Sequence, residues 1–178
     1  HRALLDFFVV LHHVKAFVLS KAEMENFPIL GPASMHTGVI FVQRNNKNSR
    51  GAARKSIVDA IKQGRNVLIF PEGTTNTGRT TMEFKIGTFE EAAKNDFPIV
   101  PVALEYQSER DLWYKGTSTV KMFFLQYGKL ITNSKVSFGP ALKGDDAEQL
   151  MKDARKWIDG ALIESQKDWS KVNYETDE

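Results

Sequence analysis

A chain of 178 residues that is 42% hydrophobic and carries a net charge of +2 is long enough for a single globular domain with a substantial core, and its global charge points to no particular partner. The absence of cysteine excludes thiol catalysis, disulfide staples and zinc–thiolate sites. Four histidines without His-Glu-x-x-His or similar spacing offer no metal site.

In chain order, Leu4–Val14 has helical periodicity and Ala16-Phe17-Val18-Leu19-Ser20 reads as a short strand. Leu4–Leu19 is the most apolar region, but Asp6, His12, His13 and Lys15 interrupt it, short of the roughly 18 uninterrupted apolar residues of a membrane span. It reads as a buried or interfacial element. No signal peptide is visible, and a chain that opens on His rather than Met is expected to be preceded by a further piece, where a membrane anchor would lie. Asn26–Ser34, with Pro28, Gly31 and Pro32, is predicted as loop, and Gly38–Val42 as a strand that runs into Gln43-Arg44. Ser49 is placed to cap a helix with Ala53, Ile57, Ala60 and Ile61 on one side and Gly64 as its stop. Val67–Phe70 is the next strand, followed by a loop from Pro71 to Lys85 and a helix from about Gly87 to Lys94. Pro98–Tyr106, Val120–Leu125 and Val136–Phe138 read as further strands. A last helix opens on Asp145 and Glu148 at capping-box spacing and carries Leu150, Ala154, Ile158 and Leu162 on one apolar stripe; core packing explains that stripe more simply than a membrane face. The alternation predicts an α/β fold, one domain over residues 1–170 with a mainly parallel mixed sheet covered by helices, and a tail over 171–178.

Charge is unevenly spread. Between Arg44 and Arg65 seven cations face only Asp59, a balance of +6 that suits a phosphate-bearing substrate or an anionic membrane surface, although a solvated helix face also accounts for many of these lysines. No nucleic-acid reader motif accompanies them.

Two stretches carry candidate chemistry. Phe70-Pro71-Glu72-Gly73-Thr74-Thr75 follows a buried strand and places a carboxylate and two hydroxyls on a turn where Gly73 permits backbone conformations closed to other residues. Glu72 can accept from substrate hydroxyls, while Thr74, Thr75 and backbone amides can donate to phosphate; a tight turn in which Glu72 bonds only nearby amides is the plainer alternative. Arg44 leaves the end of another predicted strand, and ligands of open α/β sheets gather at such ends. The second stretch is His1-x4-Asp6. Five residues on an ideal helix rotate by about 140°, so the two side chains meet only if His1 precedes the helix and Asp6 reaches back to it. Asp6 would then fix the ring tautomer and leave His1 to take a proton from a hydroxyl.

His1-x4-Asp6, Phe41-x-x-Arg44, Phe70-Pro71-Glu72-Gly73-Thr74 and Val100-Pro101-Val102, in that order, resemble the four sequence blocks of the glycerolipid acyltransferases, the family containing 1-acyl-glycerol-3-phosphate acyltransferase. Lys21-x-Glu23, Phe84-Lys85-x-Gly87 and Val136-x-Phe138-Gly139-Pro140 extend the similarity over about Leu4 to Leu142. The resemblance implies a glycerol-3-phosphate acyltransferase-like fold, His1 as general base oriented by Asp6, and Arg44, Glu72, Gly73 and Thr74 as the binding site for the glycerol phosphate of the acceptor, with Thr75 the neighbouring candidate. It further implies Lys85 as a second cation and Pro101 in an acyl-binding or structural block. The expected reaction moves a fatty acyl group from acyl-CoA or acyl carrier protein to the free hydroxyl of 1-acyl-glycerol-3-phosphate, giving phosphatidic acid, with no metal or bound cofactor. The expected partners are the lysophospholipid acceptor, the thioester donor and the cytoplasmic face of a membrane. Thr75 departs from the Arg or Ser frequent at its place in the family. Other lyso-acceptors, lyso-ornithine lipid among them, or a non-catalytic lipid-binding domain of the same fold, are the alternatives.

Overall fold

The computed structural model describes residues 1–21, 39–42, 47–114 and 116–169. They form two compact units, one comprising His1–Val9 with the chain from Glu72 onward, the other Val10–Pro71. The predicted loop Asn26–Ser34, Arg44 and the tail from 171 lie outside the described residues.

In the second unit, β1 (Ala16–Lys21) is the centre of a parallel sheet ordered β2-β1-β3, with β2 spanning Val39–Val42 and β3 Asn66–Leu68. Val18 pairs with Val39 on one side and with Leu68 on the other. The crossover to β3 is α2 (Lys47–Lys62), which buries Ala53, Ile57 and Ala60. Ser49 lies inside α2 rather than at its cap, and Gly64 stops it with φ +76°, where a side chain is strained. Arg65 lies 4.8 Å above the Phe17 ring.

The first unit opens with His1–Val9, which includes the first half of α1 (Asp6–His13), then takes up the chain through the 72–86 loop, α3 (Gly87–Lys94), β4 (Val102–Tyr106), α4 (Thr119–Tyr127), β5 (Ser134–Phe138) and α5 (Ala147–Trp169). β4 and β5 pair antiparallel, with Leu104 opposite Val136. The predicted strand from Pro98 contracts to β4, leaving Ile99 in an isolated bridge to Leu142. One core cluster gathers Ala3, Leu104, Tyr106 and Leu112; a second gathers Phe84, Phe89, Leu150 and Ala154, where α5 packs on α3. Gly139 has no room for a Cβ, which would come within 2.7 Å of both Pro101 and Trp157. Asp146, not Asp145, caps α5 by accepting the N–H groups of Glu148 and Gln149 at 2.9 and 3.1 Å.

Residues 120–125 form part of helix α4, against the strand expected from their Val, Phe and Leu content. The Ser118 side chain accepts Lys121 N at 3.2 Å and starts the helix, and Met122 and Gln126, one turn apart, are both buried. Tertiary burial outweighs local β propensity here. Among the described residues no helix is long and apolar enough to cross a membrane.

Candidate active site

The site lies within the first unit. His1 precedes α1, as the rotation argument requires, and its Nδ1 is 2.5 Å from Asp6 Oδ2; the Asp6 side chain is fully buried and that of His1 is 21% exposed. Asp6 opens the helix, in its first turn, and turns its carboxylate back over the preceding residues. Oδ2 also accepts Arg2 N at 2.6 Å, while Oδ1 accepts Ala3 N at 3.0 Å and the Tyr106 hydroxyl at 2.9 Å. Burial pushes the Asp6 carboxyl above its ordinary value, and the two backbone N–H groups and Tyr106 pull it back. Burial and the neighbouring Asp6 charge push the Tyr106 phenol upward, so it stays a hydrogen-bond donor.

Glu72 is buried, and the protein occupies both of its oxygens. Oε1 accepts the His1 backbone nitrogen at 2.9 Å; Oε2 accepts Asn76 Nδ2 at 3.0 Å and Met82 N at 2.8 Å. Asn76 N in turn donates to His1 O at 2.7 Å. The loop thus grips the main chain of His1 from both sides, and Glu72 reaches beyond its own turn to do so. Gly73 is buried with φ +73°, Thr75 is half-buried and Thr74 exposed. Gly73→Ala is expected to destabilise the protein by roughly 1–2 kcal/mol, the cost of a Cβ in the left-handed region, read as a lower midpoint in denaturant unfolding.

Lys85 is exposed on the stretch that leads to α3. Pro101 is buried at the head of β4, where its carbonyl accepts Gly139 N at 2.8 Å. The structure therefore brings together His1, Asp6, Glu72 and Gly73, and places Pro101 in the β4–β5 pairing.

Sequence reasoning missed four residues here: Arg2, Asn76, Glu105 and Tyr106. Arg2 is almost fully buried; Nη1 donates to Asn76 O at 3.2 Å and to Gly78 O, and Nη2 to Glu105 Oε2 at 2.8 Å. Gln166 of α5 donates to the same Glu105 oxygen at 2.7 Å and to Arg79 O at 2.8 Å. Further along the loop, Thr81 N and Oγ1 both donate to Asp159 Oδ1 at 2.7 Å. The signal that could have found Glu105 is a carboxylate in the otherwise apolar strand Val102-Ala103-Leu104-Glu105-Tyr106, since a buried charge needs a partner.

Fold and site together define an α/β protein in which a buried carboxylate is bonded to a half-buried imidazole. The chain belongs to the acyltransferase family, whose sequence model matches residues 1–105. It is 28% identical over 109 residues to a 1-acyl-sn-glycerol-3-phosphate acyltransferase of Neisseria gonorrhoeae, an alignment covering 61% of this chain and 43% of the relative. It is 33% identical over 91 residues to a lyso-ornithine lipid O-acyltransferase of Pseudomonas aeruginosa, covering 51% and 35%. The crystal structure of the 1-acyl-sn-glycerophosphate acyltransferase PlsC from Thermotoga maritima shares the fold with a TM-score of 0.66 at 18% identity, over 99% of this chain and 66% of that one. The chain thus matches less than half the length of these two curated relatives.

Proposed function

We propose that this protein transfers a fatty acyl group from acyl-CoA or acyl carrier protein to the free hydroxyl of 1-acyl-glycerol-3-phosphate, giving phosphatidic acid, with residues 1–170 acting as one acyltransferase domain. The observation that carries this reading is the 2.5 Å contact between His1 Nδ1 and Asp6, in a residue whose main chain is gripped by the Glu72 loop. The relatives whose names specify acyl transfer to lysolipids support it.

In this mechanism Asp6 holds the proton of His1 on Nδ1, and Nε2 takes the proton of the acceptor hydroxyl as its oxygen attacks the thioester carbonyl. The new C–O bond forms, the C–S bond breaks, and the imidazolium returns its proton to the departing thiolate. No acyl-enzyme, metal or bound cofactor is asked for. Arg44, Lys85 and the Gly73-Thr74-Thr75 stretch are the candidate phosphate donors; Glu72 orients His1 and the loop rather than the substrate. Because the acceptor resides in a bilayer and the donor is water-soluble, the protein works at the cytoplasmic face of a membrane.

Following free-thiol release from an acyl thioester with a panel of acceptors tests the reading. Release with 1-acyl-glycerol-3-phosphate, exceeding that with lysophosphatidylcholine and lyso-ornithine lipid, is expected. Equal or greater release with lyso-ornithine lipid would transfer the assignment to that acceptor, a second reading favoured by the Pseudomonas relative.

A further inference from the structure

One face of α4 is fixed inward. Met122 and Gln126 are 2% exposed, and Gln126 accepts Leu4 N at 3.0 Å and donates to Asp111 O at 2.7 Å, which ties α4 to the segment between His1 and Asp6. Its opposite face is apolar as well. Val120, Phe124 and Tyr127 share one side at i, i+4, i+7 spacing, and Phe124 is 69% exposed. Phe8 of α1 meets Tyr127 edge-on at 5.9 Å between ring centroids. Just beyond the helix, Leu130 and Ile131 are 102% and 77% exposed. Single exposed apolar side chains are ordinary, but a cluster along one helix and the loop after it marks an interaction surface.

Charge identifies the occupant. From Leu112 to Gly144 the chain carries five lysines (115, 121, 129, 135 and 143) and neither Asp nor Glu, whereas the whole chain balances 24 Lys and Arg against 22 Asp and Glu. Lys129 reaches back to Asp111 and Lys143 to Asp96, while Lys121 is exposed on α4 itself. Aromatic and aliphatic side chains beside Lys121, on a helix that carries no carboxylate, match the headgroup boundary of an anionic bilayer. Protein interfaces are by contrast depleted in lysine.

We propose that the outer face of α4 and the Leu130–Ile131 loop form the surface on which this protein sits on an anionic lipid bilayer, with Leu130 and Ile131 entering the headgroup region. The proposal deepens the acyltransferase reading and rests on it for the choice of a lipid occupant. Gln126 on the inner face ties the docked helix to Leu4, between His1 and Asp6.

Flotation of the protein with vesicles of phosphatidylcholine alone, or with an equal part of phosphatidylglycerol, tests it without any substrate. Leu130→Ser/Ile131→Ser is expected to lower partition onto the anionic vesicles on the order of 10- to 100-fold, the effect of removing two inserted aliphatic side chains. Lys121→Glu should weaken binding to the anionic vesicles alone, and Ile163→Ser, an exposed position on α5, should change nothing. Unchanged partition of the double variant, or no vesicle binding by the parent, overturns the proposal. So does a double variant that retains vesicle binding but loses a parent dimer by light scattering, which would assign the surface to a second copy of the chain. Vesicle binding that the double variant loses, in a protein that releases no thiol with any acceptor, would leave this surface standing and refute only the reaction.

Discussion

Replacing His1 by alanine is expected to lower acyl transfer at least 10³-fold, within the range of about 10² to 10⁴ for a general base and toward its upper end, and Asp6→Asn by about 10⁴-fold, the cost of an imidazole held in the wrong tautomer. The asparagine argument follows from the donor count around the carboxylate. Asp6 Oδ2 faces Arg2 N and His1 Nδ1, and Oδ1 faces Ala3 N and the Tyr106 hydroxyl. An amide has one acceptor oxygen, so in either flip its NH2 confronts a backbone N–H that cannot turn away. If the NH2 lies toward His1, Nδ1 must become the acceptor, the ring proton moves to Nε2, and the base is lost at the atom that needs it. If it lies toward Tyr106, Ala3 N is left buried against a donor, and stability falls too. The two variants therefore separate: His1→Ala leaves Asp6 three other donors and should lose less stability than Asp6→Asn while turnover falls, and Asp6→Asn should lose both. Turnover within tenfold of the parent in His1→Ala would mean that His1 is not the general base, and a parent that turns over no acceptor would be a lipid-binding domain of the same fold.

What sequence made legible were the features set by neighbours along the chain. The His1-x4-Asp6 spacing, with its 140° mismatch, already required His1 to sit ahead of the helix, and α1 begins at Asp6. Helix α3 falls at Gly87–Lys94 as its periodicity predicts, and β1 and β2 stay within a residue or so of their apolar runs. What escaped were features decided across the fold. Nothing within Val120–Leu125 states that Met122 and Gln126 will be buried while Phe124 faces out, and without that knowledge a β-branched and aromatic run reads as strand. Glu72 was visible as a polar residue on a turn; that its oxygens would be taken by His1, Asn76 and Met82 depends on a segment 71 residues away. Arg2 sits inside the His1–Asp6 motif and was overlooked because its partner, Glu105, lies 103 residues along the chain.

That ion pair supports the second large effect. Glu105→Ala is expected to destabilise the protein by about 3–5 kcal/mol, the usual cost of leaving one member of a buried pair uncompensated, lowering the melting temperature by roughly 10 °C at about 2–4 °C per kcal/mol for a chain of this size. Arg2 and Glu105 are 3% and 5% exposed, so water cannot readily solvate the orphaned guanidinium. Its remaining partners, the carbonyls of Asn76, Gly78 and Arg79, are neutral. Gln166 also loses one of its acceptors, and with it part of the tie between α5 and the loop. Arg2→Met combined with Glu105→Leu removes both charges and fills similar volume, so the double variant should recover a large part of the lost stability. The loop carbonyls at 76 and 78 would still lack their donor, and Asn76 N donates to His1 O. The double variant is therefore expected to be stable yet poorly active, with its defect in the placement of His1. A double variant no more stable than Glu105→Ala would mean that the guanidinium acts chiefly through the loop carbonyls. Glu105→Ala within 1 kcal/mol of the parent would mean that charge compensation at this pair is not what holds the loop against His1.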